Sequence, residues 1–249
     1  MNRYGRMDIA ARAGKAPVLT GPGGPALELK GVRTLDARME IDAQAGDLLI
    51  PPSLRPAIPS YGSIAVSEIA ESEVGPFSLA ELRVGVRIGA VASFFLVGAV
   101  CSTDEACEAL KARFGYPAVA GVVELQELYH EVCAHVAVGG RTALKLRLGQ
   151  RRPLPGTRLG LSSLVALARR GAGGPSTLLH IPVQADWGAA DGGRQLLDAF
   201  SPEAFGAAQA FRPAFPMSAA FATADITLGA PDAVIDPETP AEESLEAVA

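Results

Sequence analysis

The sequence is poor in lysine and cysteine and has no long apolar run. It contains four lysines, and arginine supplies most of its 22 basic residues. The net charge of -5 excludes a general electrostatic attraction to nucleic acid or to an anionic membrane. No apolar run reaches the ~18 residues that a membrane-spanning helix needs, so we expect no membrane association. Residues 1–17 contain no apolar segment of the kind found in a signal peptide, so we expect no secretion signal.

Metal and nucleotide sites also lack their usual sequence signals. The three cysteines, Cys101, Cys107 and Cys133, are odd in number and show no metal-binding spacing, which is typical of thiols in a reducing cytoplasm. The three histidines are too scattered to predict a metal pair. GPGGP at 21–25 lacks the strand, the helix and the lysine of a phosphate-binding loop. We therefore predict a cytoplasmic protein without metal or cofactor.

The length and the distribution of proline and glycine predict one main domain. A chain of 249 residues with 49% hydrophobic content can bury a full core. Proline and glycine are dense before position 26, so we expect an irregular segment over 1–30. Residues 237–249 are acidic and small and are typical of a solvated tail. This leaves 31–236 as a single domain.

Within that domain the pattern is mostly that of β-strands. Alternation or continuous apolar character predicts strands over 63–69, 81–88 and 92–100. A helix is predicted over 104–114, because a Ser-Thr-Asp-Glu cap precedes it and Gly115 and Pro117 end it. Two further helices are expected, one over 193–200 and a short one over 202–210.

A hairpin is the clearest local unit. Segments 132–138 and 141–148 flank Gly139-Gly140, a favourable two-residue turn. A regular register pairs Val136 with Ala143 and Ala134 with Lys145. Lys145 then shares a face with Val132, Ala134, Val136, His130 and Arg147, a face that could line the interior of a barrel.

One segment carries a family resemblance. Residues 104–119, DEACEALKARFGYPAV, resemble the central motif of the acetoacetate decarboxylase family, a short helix followed by Gly-Tyr-Pro-Lys-Lys. In that family the first lysine forms a Schiff base with a keto acid, and the second lowers the pKa of the first. The corresponding positions here are Ala118 and Val119, which carry no amine and cannot form an imine.

The resemblance extends over most of the chain in the same order and spacing. Four further segments resemble family motifs: LIPPSL at 49–54, GPFS at 75–78, DWGA at 186–189 with LLD at 196–198, and ATADITL at 222–228. The resemblance implies a mainly β (α+β) fold, an acetoacetate decarboxylase-like cone-shaped closed β-barrel with peripheral helices. It also implies a ligand pocket inside the barrel and a homo-oligomer.

Other family site positions have changed as well. The family's catalytic carboxylate falls at Leu79, whereas Glu81 lies two residues later and, in a strand, on the same face. Glu81 could replace that carboxylate or lie in solvent at a strand end. The family arginine that binds the substrate carboxylate has Arg33 as its nearest candidate, with Arg38 second. Tyr116 is retained from Gly-Tyr-Pro and could pack the turn or orient a ligand carbonyl.

Three residues outside the motif positions are also candidates for chemistry. Lys145, beside Arg147, could serve as a displaced Schiff-base lysine or lie at the surface. Glu127 could act as a general acid or base or pair with a surface arginine. His130 could contribute to substrate binding or be structural.

The sequence therefore leaves three functions open. The first is an enzyme that acts on a small oxo or enol compound without a Schiff base, by cyclisation, dehydration, isomerisation or decarboxylation, as in specialised metabolism. Its predicted catalytic residues are Glu81, Glu127 and Lys145. Its predicted substrate-binding residues are Arg33, Leu79, Tyr116, Ala118 and His130. The second is a decarboxylase or aldolase with Lys145 as its nucleophile. The third is a non-catalytic protein that binds a small ligand in the same pocket.

Overall fold

The structure is a computed structural model that describes residues 3–20, 25–155, 159–160, 163–206 and 209–239. Its α-helices are α1 Ile9–Ala13, α2 Ala43–Asp47 and α3 Asp104–Phe114, and a 3-10 helix covers Pro202–Phe205. The strands are β1 Val18–Leu19, β2 Leu27–Ile41, β3 Arg55–Pro56, β4 Tyr61–Ile69, β5 Phe77–Ile88, β6 Val91–Cys101, β7 Ala118–Ala120, β8 Val122–Glu127, β9 Glu131–Val138, β10 Arg141–Pro153, β11 Ser163–Arg170, β12 Ser176–Ile181, β13 Val183–Phe200, β14 Pro213–Leu228 and β15 Ala233–Ile235.

These strands form one large sheet, which confirms the mainly β fold. The hydrogen-bonded order is β15-β12-β11-β6-β5-β4-β2-β14-β13-β10-β9-β8, with β1, β3 and β7 as side branches on β11, β5 and β6. Along this path β6 and β11 pair in parallel and the other neighbours pair antiparallel. The sheet curls so that β8, at one end, packs against β4, β5 and β6. Within the described residues the ladder has two ends, so the hydrogen bonds do not close the predicted barrel.

Two hydrophobic cores lie against the sheet. The first core fills the inside of the curl and includes Leu35 and Ala37 of β2 together with side chains of β9 and β10. The second core includes Leu29 and Val32 of β2 and is covered by α3, β11 and β12. Gly31 lies between Leu29 and Val32, where the alternation of buried side chains along β2 shifts by one residue. Its φ of 60° is a backbone conformation that favours glycine. Both faces of the central strands are therefore buried.

The helix α3 confirms the prediction for 104–114. The Thr103 side chain accepts a hydrogen bond from the Ala106 backbone N–H, and Gly115 ends the helix with φ 66°. Leu110 and Phe114 face the second core. The helix leads directly into β7, and it therefore fixes the position of Tyr116 and Ala118.

The helix predicted over 193–200 is wrong. These residues are the second half of β13, where Leu196 pairs with Arg147 and Leu197 with Leu146. A Cβ atom at Gly193 would lie 2.4 Å from the Gly149 carbonyl oxygen, so the two strands approach too closely there for a side chain. The short helix predicted over 202–210 is a 3-10 turn over Pro202–Phe205, and residues 207–208 lie outside the described residues.

The Gly139-Gly140 hairpin is present, but its predicted register is wrong. Val138 pairs with Arg141 as expected, and a bulge between Thr142 and Leu144 then shifts β10 by one residue. Val136 therefore pairs with Leu144, not with Ala143. Because side chains alternate along a strand, the shift moves every later side chain of β10 to the opposite face from the one predicted.

Short elements lie in the described part of the N-terminal segment. The segment 1–30 includes α1, β1 and the first residues of β2. Residues 21–24 of the GPGGP sequence lie outside the described residues, as do 240–249 of the predicted tail. In the part of the chain that the structure describes, no helix is long and apolar enough to cross a membrane.

Candidate functional site

A buried ion pair on β5 is the main feature of the candidate site. Leu79, Glu81 and Arg83 alternate along the strand and therefore point to the same face. Glu81 and Arg83 are each 5% exposed, and the Arg83 guanidinium donates through Nη2 to Glu81 Oε2. Glu81 is thus buried and paired, which rules out the alternative of a solvated strand-end carboxylate.

The ion pair is incompletely satisfied. Glu81 Oε1 and the Nε and Nη1 atoms of Arg83 are buried and have no hydrogen-bond partner among the described residues. Leaving such groups without a partner costs about 1–3 kcal/mol each, and more where the group is charged. Buried charges without full satisfaction in a cavity wall are typical of a ligand site.

Two more ionisable side chains complete the cluster. Asp36 of β2 accepts a hydrogen bond from Ser63 and lies 3.7 Å from Arg38 Nη2. Burial alone would lower the pKa of Arg83, but the carboxylates of Glu81 and Asp36 raise it, so the guanidinium stays charged. Burial raises the pKa of Tyr116 well above its ordinary value, and the Glu81 charge adds to the rise. Tyr116 therefore holds its proton at neutral pH and can donate it.

These groups line two neighbouring cavities. The inner pocket, of about 50 Å³, is lined by Glu81, Arg83, Tyr116 and an apolar wall that includes Leu79 and Leu164. The outer pocket, of about 230 Å³, is lined mainly by small and apolar side chains. Three residues line both pockets: Thr34, Asp36 and Trp187. The inner pocket can hold the reacting end of a small molecule, and the outer pocket can hold the rest.

Some predicted site residues lie together here. The structure places Leu79, Glu81 and Tyr116 in the wall of the inner pocket. Ala118 packs in the second core with Leu79 and Tyr116. It does not line the inner pocket, but it lines a separate cavity together with Val119. The positions that correspond to the family's lysines are therefore occupied by small apolar groups.

Arg33 and Glu127 lie together, but away from the inner pocket. Arg33 Nε donates to Glu68 at 3.0 Å, and its Nη1 lies 3.8 Å from Glu127 Oε2. Glu127 also pairs with Arg151 at 2.6 Å. Each of these side chains other than Arg151 is more than one-third exposed. Neither Arg33 nor Glu127 lines the inner or the outer pocket.

Lys145 and His130 are also exposed. The bulge in β10 turns Lys145 to the outer face, where it pairs across the strands with His135, so the predicted interior position is wrong. His130 lies in the connection before β9, with its ring edge-on to Tyr129 at 4.5 Å between centroids. The predicted position of His130 on a strand face with Val132 is therefore wrong. Neither residue lines the inner or the outer pocket.

Arg83 and Asp36 belong to the site but were not predicted from the sequence. A signal for Arg83 was available, because Glu81-Leu82-Arg83 puts opposite charges two residues apart inside an apolar strand, and therefore on one face. Asp36 comes from β2, and only the pairing of β2 with β4 brings it to Ser63. Among the described residues, no group of three or more His, Cys, Asp or Glu side chains is arranged to hold a metal ion.

The buried proton donors predict a loss of stability at alkaline pH. Burial raises the pKa of the Cys101 thiol as it does that of Tyr116. The unfolded chain releases these protons near pH 8.5 and 10, whereas the folded chain retains them, so stability falls as the pH rises. The free energy of unfolding measured in urea should fall by about 1.4 kcal/mol per pH unit for each of these groups, once the pH exceeds the pKa that the group has in the unfolded chain. Cys101→Ala should reduce the slope between about pH 9 and 10, and an unchanged slope would contradict this assignment.

The fold is the acetoacetate decarboxylase-like one, as comparison with solved structures shows. Acetoacetate decarboxylase from Legionella pneumophila matches with a TM-score of 0.74 and 16% identity over 86% of this chain and 89% of that one. The enduracididine biosynthesis enzyme MppR, with HEPES buffer bound, matches with a TM-score of 0.71 and 13% identity over 87% and 90%. An acetoacetate decarboxylase-like enzyme from Sphingomonas wittichii RW1 matches with a TM-score of 0.69 and 14% identity over 83% and 91%.

Sequence comparison adds no relative to these. No protein-family profile matches the chain, and a search of curated proteins finds no match. At 13–16% identity the structural likeness establishes the fold and not the activity. The function must therefore be argued from the pocket itself.

Proposed function

We propose that this protein is an enzyme that binds a small oxo or enol compound in the inner pocket and moves a proton at the carbon next to the carbonyl, without forming an imine. The reaction class is enolisation, which underlies isomerisation, dehydration and cyclisation, and decarboxylation reaches the same kind of enolate by loss of carbon dioxide. The observation that carries the proposal is the buried Glu81–Arg83 pair, because both residues line the inner pocket and the pair retains polar atoms without a hydrogen-bond partner among the described residues.

The free atoms of the pair suit opposite roles in enolisation. Glu81 Oε1 is an acceptor and can take the proton from the α-carbon. The electron pair of that C–H bond then forms the carbon–carbon double bond of an enolate, and negative charge develops on the carbonyl oxygen. Arg83 Nε and Nη1 are donors that can stabilise this oxyanion in a site shielded from water. Tyr116, protonated and adjacent, can return a proton to the oxygen or hold it by a hydrogen bond.

The absence of an imine follows from the residues around the pocket. Ala118 and Val119 carry no amine, and no lysine lines the inner or the outer pocket as the structure describes them. The chain is in this view a divergent member of the acetoacetate decarboxylase-like superfamily that has lost the Schiff-base lysine. The MppR complexes with pyruvate and with a pyruvate condensation product show that another protein of this fold binds oxo acids.

The pocket dimensions favour a substrate with a small reacting end and a larger apolar part. The inner pocket, at about 50 Å³, has room for little more than a carbonyl group and its neighbouring carbon. The outer pocket, at about 230 Å³, is walled partly by Leu154, Ala220 and Ala222. This apolar part of the wall accepts hydrocarbon more readily than charge, whereas Asp36 and Arg38 form a charged region of the same lining.

A non-catalytic binding role is the second candidate. It is favoured by the apolar side chains at the positions that correspond to family catalytic groups, Leu79, Ala118 and Val119. A relocated-lysine reaction at Lys145 is less well supported, since this side chain is exposed and lines neither pocket. We further propose a homo-oligomer, which the exposed side chains of Phe215 and Met217 of β14 support.

Hydrogen exchange at the α-carbon separates the enzyme from the binding protein. A panel of 2-oxo acids and 1,3-diketones is incubated with the protein in D2O, and deuterium at the α-carbon is followed by NMR. Binding of the same compounds is measured by calorimetry. The enzyme proposal expects at least one bound compound to exchange faster than in buffer. Saturable binding without any accelerated exchange would favour the non-catalytic role.

A further inference from the structure

A second, larger cavity lies away from the inner pocket, and we call it the N-terminal cavity. It has a volume of about 320 Å³ and shares no lining residue with the inner or the outer pocket. This volume is within the range of small-molecule sites. Its apolar wall combines side chains of β6, β7, β11 and the 3-10 helix, among them Phe95, Val97, Val119, Leu167 and Phe205.

Three cationic side chains line this cavity: Arg12 at the end of α1, Lys15 just after it, and Lys111 on α3. No aspartate or glutamate is among its described lining residues. The chain as a whole carries a net charge of -5 and has four lysines, two of which lie here. The charged side chains of the described lining are therefore all cationic, although the chain as a whole is acidic. This positive charge makes the cavity attractive to an anion.

Two of the three cations have no acidic partner. Arg12 and Lys15 form no ion pair with any described residue, whereas Lys111 donates to Glu108 at 2.8 Å. Glu108 itself is 73% exposed. Partial burial without a counter-charge lowers the pKa of Arg12, so an anion beside it would restore the stability of the charged form. Arg12 and Lys15 are thus available to a ligand.

We propose that the N-terminal cavity binds an amphiphilic monocarboxylate, with its hydrocarbon chain against Phe95, Leu167 and Phe205 and its carboxylate beside Arg12 and Lys15. The combination of an apolar wall with cationic side chains matches that ligand class. A neutral alcohol would lose the ionic contacts, and a small inorganic anion would leave the apolar wall empty. This site does not depend on the reaction proposed for the inner pocket.

Calorimetric titration with octanoate and with 1-octanol tests the site. Octanoate is expected to bind with a stoichiometry of one and at least about tenfold more tightly than octanol, because only the carboxylate can accept charge-assisted hydrogen bonds from Arg12 and Lys15. Arg12→Gln should weaken octanoate binding about tenfold, and Lys15→Gln about two- to fivefold, since Lys15 is exposed. Neither change should alter the binding of octanol. The affinity for octanoate, but not for octanol, should fall as salt is added.

Two further variants separate this site from the alternatives. Lys30→Gln removes an exposed lysine elsewhere on the surface and should leave octanoate binding unchanged. Glu81→Gln alters the inner pocket and should also leave it unchanged, whereas an effect would place the ligand near Arg83. Equal affinities for octanoate and octanol, no saturable octanoate binding, or wild-type affinity in both Arg12→Gln and Lys15→Gln would overturn the proposal. Lys15 is on the surface, so its variant provides a test even if Arg12→Gln folds poorly.

Discussion

Replacement of Arg83 by methionine is expected to lower the free energy of unfolding by about 3–5 kcal/mol, because it leaves the Glu81 carboxylate buried without its partner. The double variant Glu81→Leu with Arg83→Met removes both charges and fills the space with hydrocarbon. Exchange of a buried ion pair for apolar residues is often neutral or stabilising. The double variant should therefore regain most of the stability that the single variant loses, and it should lack any activity of the inner pocket.

Urea unfolding of the single and double variants measures this effect, and Arg33→Met is the matched control. Like Arg83, Arg33 pairs with a glutamate, in this case Glu68 on the neighbouring strand β4. Both side chains of this second pair are more than one-third exposed. Its loss should cost about 1 kcal/mol or less. Equal costs for Arg83→Met and Arg33→Met would contradict the account of Glu81–Arg83 as a buried pair. A double variant as unstable as the single one would mean that the pair is needed for folding itself.

Replacement of Glu81 by glutamine is expected to slow any α-hydrogen exchange that the wild-type protein catalyses by about 10²–10⁴-fold, the usual contribution of a positioned general base. The amide has nearly the shape of the carboxylate, so Arg83 and the cavity wall remain in place. The amide oxygen is too weak a base to take the α-proton. Ligand affinity should change much less than the rate, because the atoms that hold the ligand oxygen belong to Arg83.

Glu68→Gln is the control for that measurement, since it removes a carboxylate from the adjacent strand that lies outside the inner and outer pockets. It should exchange at the wild-type rate. The Glu81→Gln protein is compared only if its thermal unfolding stays cooperative. Full exchange in a folded Glu81→Gln protein would remove Glu81 from the role of base, and another group, such as Asp36, would then have to take it.

The inner pocket could be predicted from the sequence only in part. Strand alternation correctly places Leu79 and Glu81 on one face, and the family resemblance points to Tyr116. Whether that face is exposed to solvent or buried depends on the layer that covers it. Leu164, Trp187 and the other covering residues come from strands far along the chain, and their approach is set by long-range strand pairing. The burial of Glu81 could therefore not be predicted from the residue pattern of its own strand.

The position of Lys145 shows how one residue can reverse a prediction. The Gly139-Gly140 turn is visible in the sequence, but the bulge between Thr142 and Leu144 is not. Ala143 is small and apolar, and no glycine or proline between Thr142 and Leu144 marks the irregularity. One extra residue turns Lys145 from the interior to the surface, and the argument for a relocated nucleophile loses its geometric support.

The segment 193–200 shows a conflict between local and tertiary preferences. Its arginine, glutamine and leucines over 194–197 have high helix propensity, so the local preference favours a helix. In the fold, β13 pairs with β10 on one side and with β14 on the other. Pairing along a strand of 18 residues outweighs the local preference, as tertiary context commonly does.

The most direct test of the central claim is borohydride treatment of the wild-type protein in the presence of an oxo compound whose α-hydrogen it exchanges. An imine would be reduced to a stable adduct visible in the intact mass, and the exchange activity would be lost. A true acetoacetate decarboxylase treated in parallel should form its adduct. We predict an unchanged mass and full exchange activity after removal of the reagent. A trapped adduct with loss of activity would contradict the account, and peptide mapping would identify the lysine that carries the reaction.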